Sequence, residues 1–284
     1  MAKVTTISSL GWSHYTLYEA LPKMKERGFD RIEIASFIQY CSHFNFDKPT
    51  PKELYALLKN LNLKPICLNY SPRHFEAWKE EEIDNFVKHW ERKLPHLVEV
   101  GIPMMTMPFG ERNVRSDQEF QLSNAIKAFD RVGEIASKLG IKMLLEAPHL
   151  YSIMPRIENV LWVVNRLSSE NVGVLLDSSH WGIIKYDIDA YLNALGDRLW
   201  HVHLRDSMGS DTADRKQQLE LTPGKGTTDF KLLSQALDRV AYKGDISLEF
   251  EYRNISLNDI EKEYDQGLQY LSKTGWEIPN SVKY

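Results

Sequence analysis

The chain has 284 residues, 43% of them hydrophobic and 26% charged, a composition that excludes disordered, collagen-like and disulfide-scaffold chains. Lys and Arg number 35 against 39 Asp and Glu, a net charge of −4. That balance argues against a nucleic-acid backbone as the main partner.

Short apolar, β-branched runs alternate with longer amphipathic stretches along the whole chain. Strand 4–10 precedes helix 15–28, which closes on Gly28. Strand 31–35 precedes helix 51–61, and strand 65–69 precedes helix 80–100. Strand 104–107 leads to helix 117–139, closed by Gly140, and strand 142–146 leads to helix 157–167. Strand 172–177 leads to helix 188–195, strand 199–204 to helix 229–242, and strand 246–250 to helix 257–275. Thr227 and Thr228 make a helix N-cap plausible just before 229. Strict alternation of eight short, nearly continuous apolar strands with eight helices predicts a single (β/α)8 TIM barrel over residues 1–284. No GxGxxG follows the first strand, which counts against an open dinucleotide-binding sheet.

Cys41 and Cys67 form no CxxC pair, so a reducing compartment fits. The N-terminus has no signal-peptide succession, and no apolar run nears the roughly 20 residues of a membrane span. A soluble, cytoplasmic protein is expected, with neither membrane nor nucleic acid as partner. The strand-to-helix connections 36–50, 70–79 and 205–228 are long, and in a barrel they form the catalytic face.

The informative positions are the strand ends. Strand five ends in Glu146 and strand six in Asp177, with His180 three residues on. Strand seven offers His203, with His201 two residues earlier on the same face, and strand eight offers Glu249. A carboxylate at the end of a buried strand is costly unless it is paired or binds a cation. Three carboxylates and an imidazole on one rim suit one divalent metal ion: Mn, Mg, Co or Zn.

The succession LLEAPH, VGVLLDSSH, WHVHLRD, TPGKGTTDF and SLEFE resembles the xylose-isomerase-like TIM barrels. That group includes sugar and sugar-phosphate isomerases and epimerases, inosose-handling enzymes and type IV endonucleases. The resemblance implies metal ligands at Glu146, Asp177, His203 and Glu249, with His180 contacting substrate. It also implies that Glu146 and Glu249 are the acid–base pair of an epimerase. The expected activity is isomerisation or epimerisation of a keto sugar, sugar phosphate or inosose by proton abstraction alpha to a carbonyl. A lyase, dehydratase, decarboxylase or 3-keto-glycoside-cleaving enzyme would begin with the same proton transfer and is the alternative. A type IV endonuclease is remote: strands three and four do not end in histidine, and none follows His203. Relatives of this kind are often dimers or tetramers, so a homo-oligomer stays open.

Other rim residues have two readings each. His149, His14, His43, Asn69 and Arg205 are candidate substrate contacts. Glu33 binds a substrate hydroxyl or is a structural carboxylate, and Glu251 orients Glu249 or faces solvent. His201 sits a layer deeper, while His89 and His96 belong to a helix. Lys225 lies in Pro223-Gly224-Lys225-Gly226, where barrels often hold phosphate, but a solvated lysine explains it better. Trp12, Phe109 and Trp181 either stack on a sugar or pack the barrel mouth.

Overall fold

Eight short strands carry the framework: β1 Thr6–Ser8, β2 Arg31–Phe37, β3 Lys64–Ser71, β4 Met104–Met107, β5 Lys142–Glu146, β6 Val172–Asp177, β7 Leu199–Leu204 and β8 Asp245–Leu248. Each pairs in parallel with the next, and β1 pairs with both β2 and β8. The sheet therefore closes on itself as a (β/α)8 barrel. The structure is a computed structural model that describes residues 1–37, 40–46, 52–71, 75–150, 152–208, 221–252 and 255–279.

The described helices are α1 Leu17–Glu26, α2 Lys52–Asn60, α3 Glu82–Val100, α4 Gln118–Lys138, α5 Ile157–Val164, α6 Ser178–Ile184, α7 Ile188–Leu195, α8 Phe230–Arg239 and α9 Leu257–Lys273. Local chemistry sets their ends. Thr16 and Glu19 form a reciprocal capping box at α1. Gly101 ends α3 at φ 73°, a left-handed conformation that costs a residue with a Cβ. Asp229, not the threonines before it, caps α8 by accepting from the Leu232 amide at 2.9 Å. Among the described residues, no helix is long and apolar enough to cross a membrane.

The sequence-based elements match closely, with three differences. β1 is short because the chain turns into a 3-10 helix, Ser9–Trp12, whose start the Ser8 hydroxyl caps. Cys41–Ser42 adds a two-residue strand antiparallel to the end of β2. Helix α6 follows β6 directly, where a loop was expected.

Strand pleating decides what faces the barrel axis. Ile66, Cys67, Met104, Leu144 and Leu175 form an apolar layer inside the barrel. Two residues further along β4, β5 and β6 come Thr106, Glu146 and Asp177, so the interior turns polar toward the C-terminal mouth. Outside, Trp90, Phe129, Tyr191, Phe230 and Tyr264 are fully buried among the helices.

Candidate active site

The polar groups at the mouth close around one another. Asp177 ends β6 and caps α6, its Oδ1 accepting from the Ser179 amide at 2.7 Å and hydroxyl at 2.6 Å. That cap fixes the first turn of α6 and sets His180 with Nε2 3.3 Å from Glu146 Oε1. The His149 ring packs tilted beside it, 4.0 Å between centroids, and Phe109 packs on His149 at 4.6 Å. Glu146, His149 and His180 thus present one polar face of the mouth.

Arg205 occupies the centre. Its guanidinium lies 2.5 Å from Asp177 Oδ2, 2.7 Å from Glu251 Oε2, 3.7 Å from Glu249 Oε2 and 4.0 Å from Glu146 Oε1. Tyr40 donates to the other Glu251 oxygen. Glu251 therefore serves Arg205. On the far side, Glu249 Oε1 accepts the Asn69 amide at 2.5 Å, and Asn69 Oδ1 in turn accepts from the Thr106 hydroxyl at 3.2 Å. Glu249 Oε2 lies 3.2 Å from His203 Nδ1. Beneath, Glu33 Oε2 faces His203 Nε2 at 2.8 Å and His201 Nε2 at 3.0 Å.

Burial makes these charges interdependent. Burial alone would raise the Asp177 carboxyl, but Arg205, His180 and His203 outweigh it and hold it at about 2. Burial also pushes Glu33 up, and the two histidines reverse that, keeping it below the ordinary carboxylate range. For Glu249 burial prevails and the carboxyl is raised despite His203 and Arg205. His203, which burial alone would hold neutral, is raised well above its ordinary value by Glu249 and Glu33.

The donor set fits a divalent cation. Five carboxylates, Glu33, Glu146, Asp177, Glu249 and Glu251, face Arg205 and His203, so negative charge is in excess. Glu33 Oε1, His203 Nδ1 and both His180 ring nitrogens are buried with no hydrogen bond among the described residues. Possible ligand atoms gather within 4.8 Å in three groups: Glu33–His203–Glu249, Glu146–His149–His180 and Glu33–Cys67–His201. Oxygen-rich sets with imidazole suit Mn, Mg, Co or Zn.

Of the residues read from sequence, Glu146, His149, Asp177, His180, His203, Arg205, Asn69 and Glu249 come together at the mouth. His43 does not offer its ring: Nδ1 meets the Ser9 hydroxyl at 2.8 Å and Nε2 the Tyr15 carbonyl at 2.9 Å. His14 is exposed beyond the 3-10 helix. Trp12 stacks on Tyr264 at 4.3 Å, so packing explains it. Trp181 donates to the Tyr186 carbonyl at 3.0 Å. Lys225 pairs with Glu263, and the amides of its loop serve a protein carboxylate. Asp206 Oδ2 accepts from Gly224 at 2.9 Å and Gly226 at 2.8 Å, and Oδ1 from Ser207 at 2.8 Å and Thr228 at 3.0 Å. Sequence reading missed Asp206; an Asp directly before a long glycine-containing connection was the available signal.

The family model of the xylose isomerase-like TIM barrel matches residues 21–274. The chain belongs to that family. Relatives of this xylose isomerase-like barrel include a 3-dehydroshikimate dehydratase of Pseudomonas putida, 24% identical over 248 residues that make up 87% of this chain. This chain spans only 37% of that dehydratase's length. An inosose isomerase of Bacillus velezensis is 23% identical over 255 residues, covering 87% of this chain and 88% of the relative. The D-allulose 3-epimerase of Methylomonas sp., solved with D-allulose, shares the fold with a TM-score of 0.76 at 19% identity, covering 96% of this chain and 98% of its own.

Proposed function

We propose that this chain is a divalent-metal-dependent isomerase or epimerase of a keto sugar, sugar phosphate or inosose. The observation that carries the reading is the closure of Glu146, Asp177 and Glu249, from three strands, on one positive centre with His203 alongside. Glu146, Asp177, His203 and Glu249 would hold the ion. Once bound, it would polarise the substrate carbonyl and stabilise the negative charge of the enediolate.

The chain's own residues would move the proton. Glu146 and Glu249 stand at the ends of β5 and β8, with two strands between them, and address a ketose from different sides. One takes the proton alpha to the carbonyl and the other returns one to the opposite face. Asn69 fixes Glu249 by holding Oε1, which leaves Oε2 toward the mouth. His180 flanks Glu146, its Nε2 3.3 Å from Oε1. Arg205, His149 and His180 line the volume a polyol would enter, and each can bond a hydroxyl or carboxylate.

Dehydration is the second reading, favoured by a specific arrangement. His149 and His180 stand beside Glu146, where either could protonate a departing hydroxyl after the same proton abstraction. Relatives named as dehydratases support it.

The test uses Glu146→Gln and Glu249→Gln in deuterated buffer, with Mn²⁺ occupancy measured. Each amide still offers an oxygen but cannot accept the proton, so turnover falls by about 10²–10⁴. One variant still exchanges the alpha proton without inverting the centre. Near wild-type turnover by both variants would overturn the reading, and an unsaturated product from the intact enzyme would select dehydration.

A further inference from the structure

Glu33 has no place in the proton transfer above, yet it is one of the most completely enclosed charges in the protein. Glu33, His201 and His203 are each 0% exposed. Glu33 reaches from β2 across the barrel interior to β7. One of its oxygens, Oε2, meets Nε2 of His203 at 2.8 Å and Nε2 of His201 at 3.0 Å. The two histidines are two residues apart, on the same face of β7, and converge on that single atom.

The geometry points to Glu33 as a positioning residue that keeps the proton of His203 on Nε2 and so leaves Nδ1 as the atom that binds the cation. This rests on the metal reading above. An ionised carboxylate only accepts hydrogen bonds, so the nitrogen facing it must carry a proton. An imidazole that binds a cation has one N–H and one lone pair, and the lone pair is the one that meets the ion. With the proton fixed on Nε2, the lone pair falls on Nδ1. That nitrogen lies 3.2 Å from Glu249 Oε2 and has no hydrogen bond among the described residues. A half-turn of the ring would put carbon against Glu33 and break a charge-assisted bond in an enclosed site. His201, held by the same oxygen, keeps Glu33 from following the ring. A carboxylate behind a ligating histidine sets the ring's orientation and raises its basicity, and loss of such a partner typically weakens metal binding about 10–100-fold.

The experiment pairs a spectroscopic readout with a binding one. Two-bond ¹⁵N–¹H correlation spectra of histidine-labelled protein are recorded before and after Zn²⁺, with His203 assigned by its absence in His203→Asn. In the wild type, Nε2 carries a proton in both states, and only Nδ1 shifts when Zn²⁺ is added. Glu33→Gln, checked for a wild-type-like cooperative melt, binds Mn²⁺ about 10–100-fold more weakly by calorimetry and gives His203 a measurable population with the proton on Nδ1. His201→Asn separates positioning from general loosening of the core, because it leaves Mn²⁺ affinity within about threefold and His203 protonated on Nε2. Wild-type His203 carrying its proton on Nδ1 alone overturns the proposal, as does an unchanged Mn²⁺ affinity in Glu33→Gln. Equal weakening by both variants also overturns it. If Glu33→Gln fails to fold, the wild-type spectrum decides. If the wild type binds no Mn²⁺, the metal reading fails separately, while the metal-free spectrum still decides the role of Glu33.

Discussion

Replacing Asp206 by Asn should cost the protein about 3 kcal/mol of stability. Asp206 is 1% exposed and directly follows Arg205, the residue at the centre of the mouth. Its two oxygens receive four backbone amides, those of Ser207, Gly224, Gly226 and Thr228, at 2.8–3.0 Å. Asn keeps one oxygen and puts an NH₂ group where two of those amides point. Each hydrogen bond to a charged acceptor contributes a net of roughly 1.5–3 kcal/mol, so losing two removes roughly 3–6 kcal/mol. Water reaching the half-open glycine side recovers part of that. Gly226 is packed closely against this site, since a Cβ there would overlap the Ser207 carbonyl and the Asp206 carboxylate. Urea unfolding followed by tryptophan fluorescence measures the cost, with an unchanged m-value showing that the unfolded state is not responsible. Hydrogen exchange supplies the local check: the Gly224, Gly226 and Thr228 amides should be protected in the wild type and exposed in the variant. A loss below about 1 kcal/mol with those amides still protected would refute the claim that Asp206 organises this connection.

Two further predictions concern the frame. Gly11→Ala should destabilise by about 1–3 kcal/mol, because its Cβ would lie 2.9 Å from Tyr264 Cε2 and nearer still to the hydroxyl that bonds the Ser8 carbonyl; a thermal melt within 1 °C of wild type would contradict it. Asp245 carries a pH dependence. Burial alone would raise its carboxyl, but the two-point bond from Arg31, at 2.7 and 2.5 Å, outweighs burial and holds it below its ordinary value. A depressed folded-state value contributes stability above the unfolded carboxylate value of about 3.9 and loses it as pH falls through the folded one. With Arg31 39% exposed, Asp245→Asn should cost only about 1–2 kcal/mol at pH 7, and the gap to wild type should shrink toward pH 3; a gap that stays constant would refute the pairing.

What the sequence carried and what it did not divide along a physical line. Strands β4 to β7 match their sequence-read bounds, and in β5 and β6 the signal is local, an apolar run closed by a carboxylate. The same signal exposed Glu146, Asp177 and His203, since a polar group ending a buried strand must meet a partner. Partner choice was not local. Glu33 and His203 are 170 residues apart, Asn69 and Glu249 are 180, and Arg205 and Glu251 are 46. Pleating could place Glu33 inside the barrel but not say which residue across it would answer. Glu251 was read against its neighbour Glu249, whereas the closer charge is Arg205 on β7's extension. Helix α6 was missed because Ser178, Ser179, His180 and Gly182 are weak helix formers, and its start depends on Asp177 acting as a cap while also holding Arg205. His43 looked like a rim ligand because nothing in its own segment showed that Ser9 and the Tyr15 carbonyl would take both ring nitrogens.

The most direct test of the proposed centre is anomalous diffraction from crystals grown with Mn²⁺. The account predicts one strong peak at the C-terminal mouth, within direct coordination distance of Asp177, Glu249 and Glu146 and of His203 Nδ1, with the Arg205 guanidinium displaced toward Glu251. A peak bound by His149 and His180 without Asp177 and His203 would contradict it, as would a mouth with no peak in crystals where Arg205 still holds Asp177.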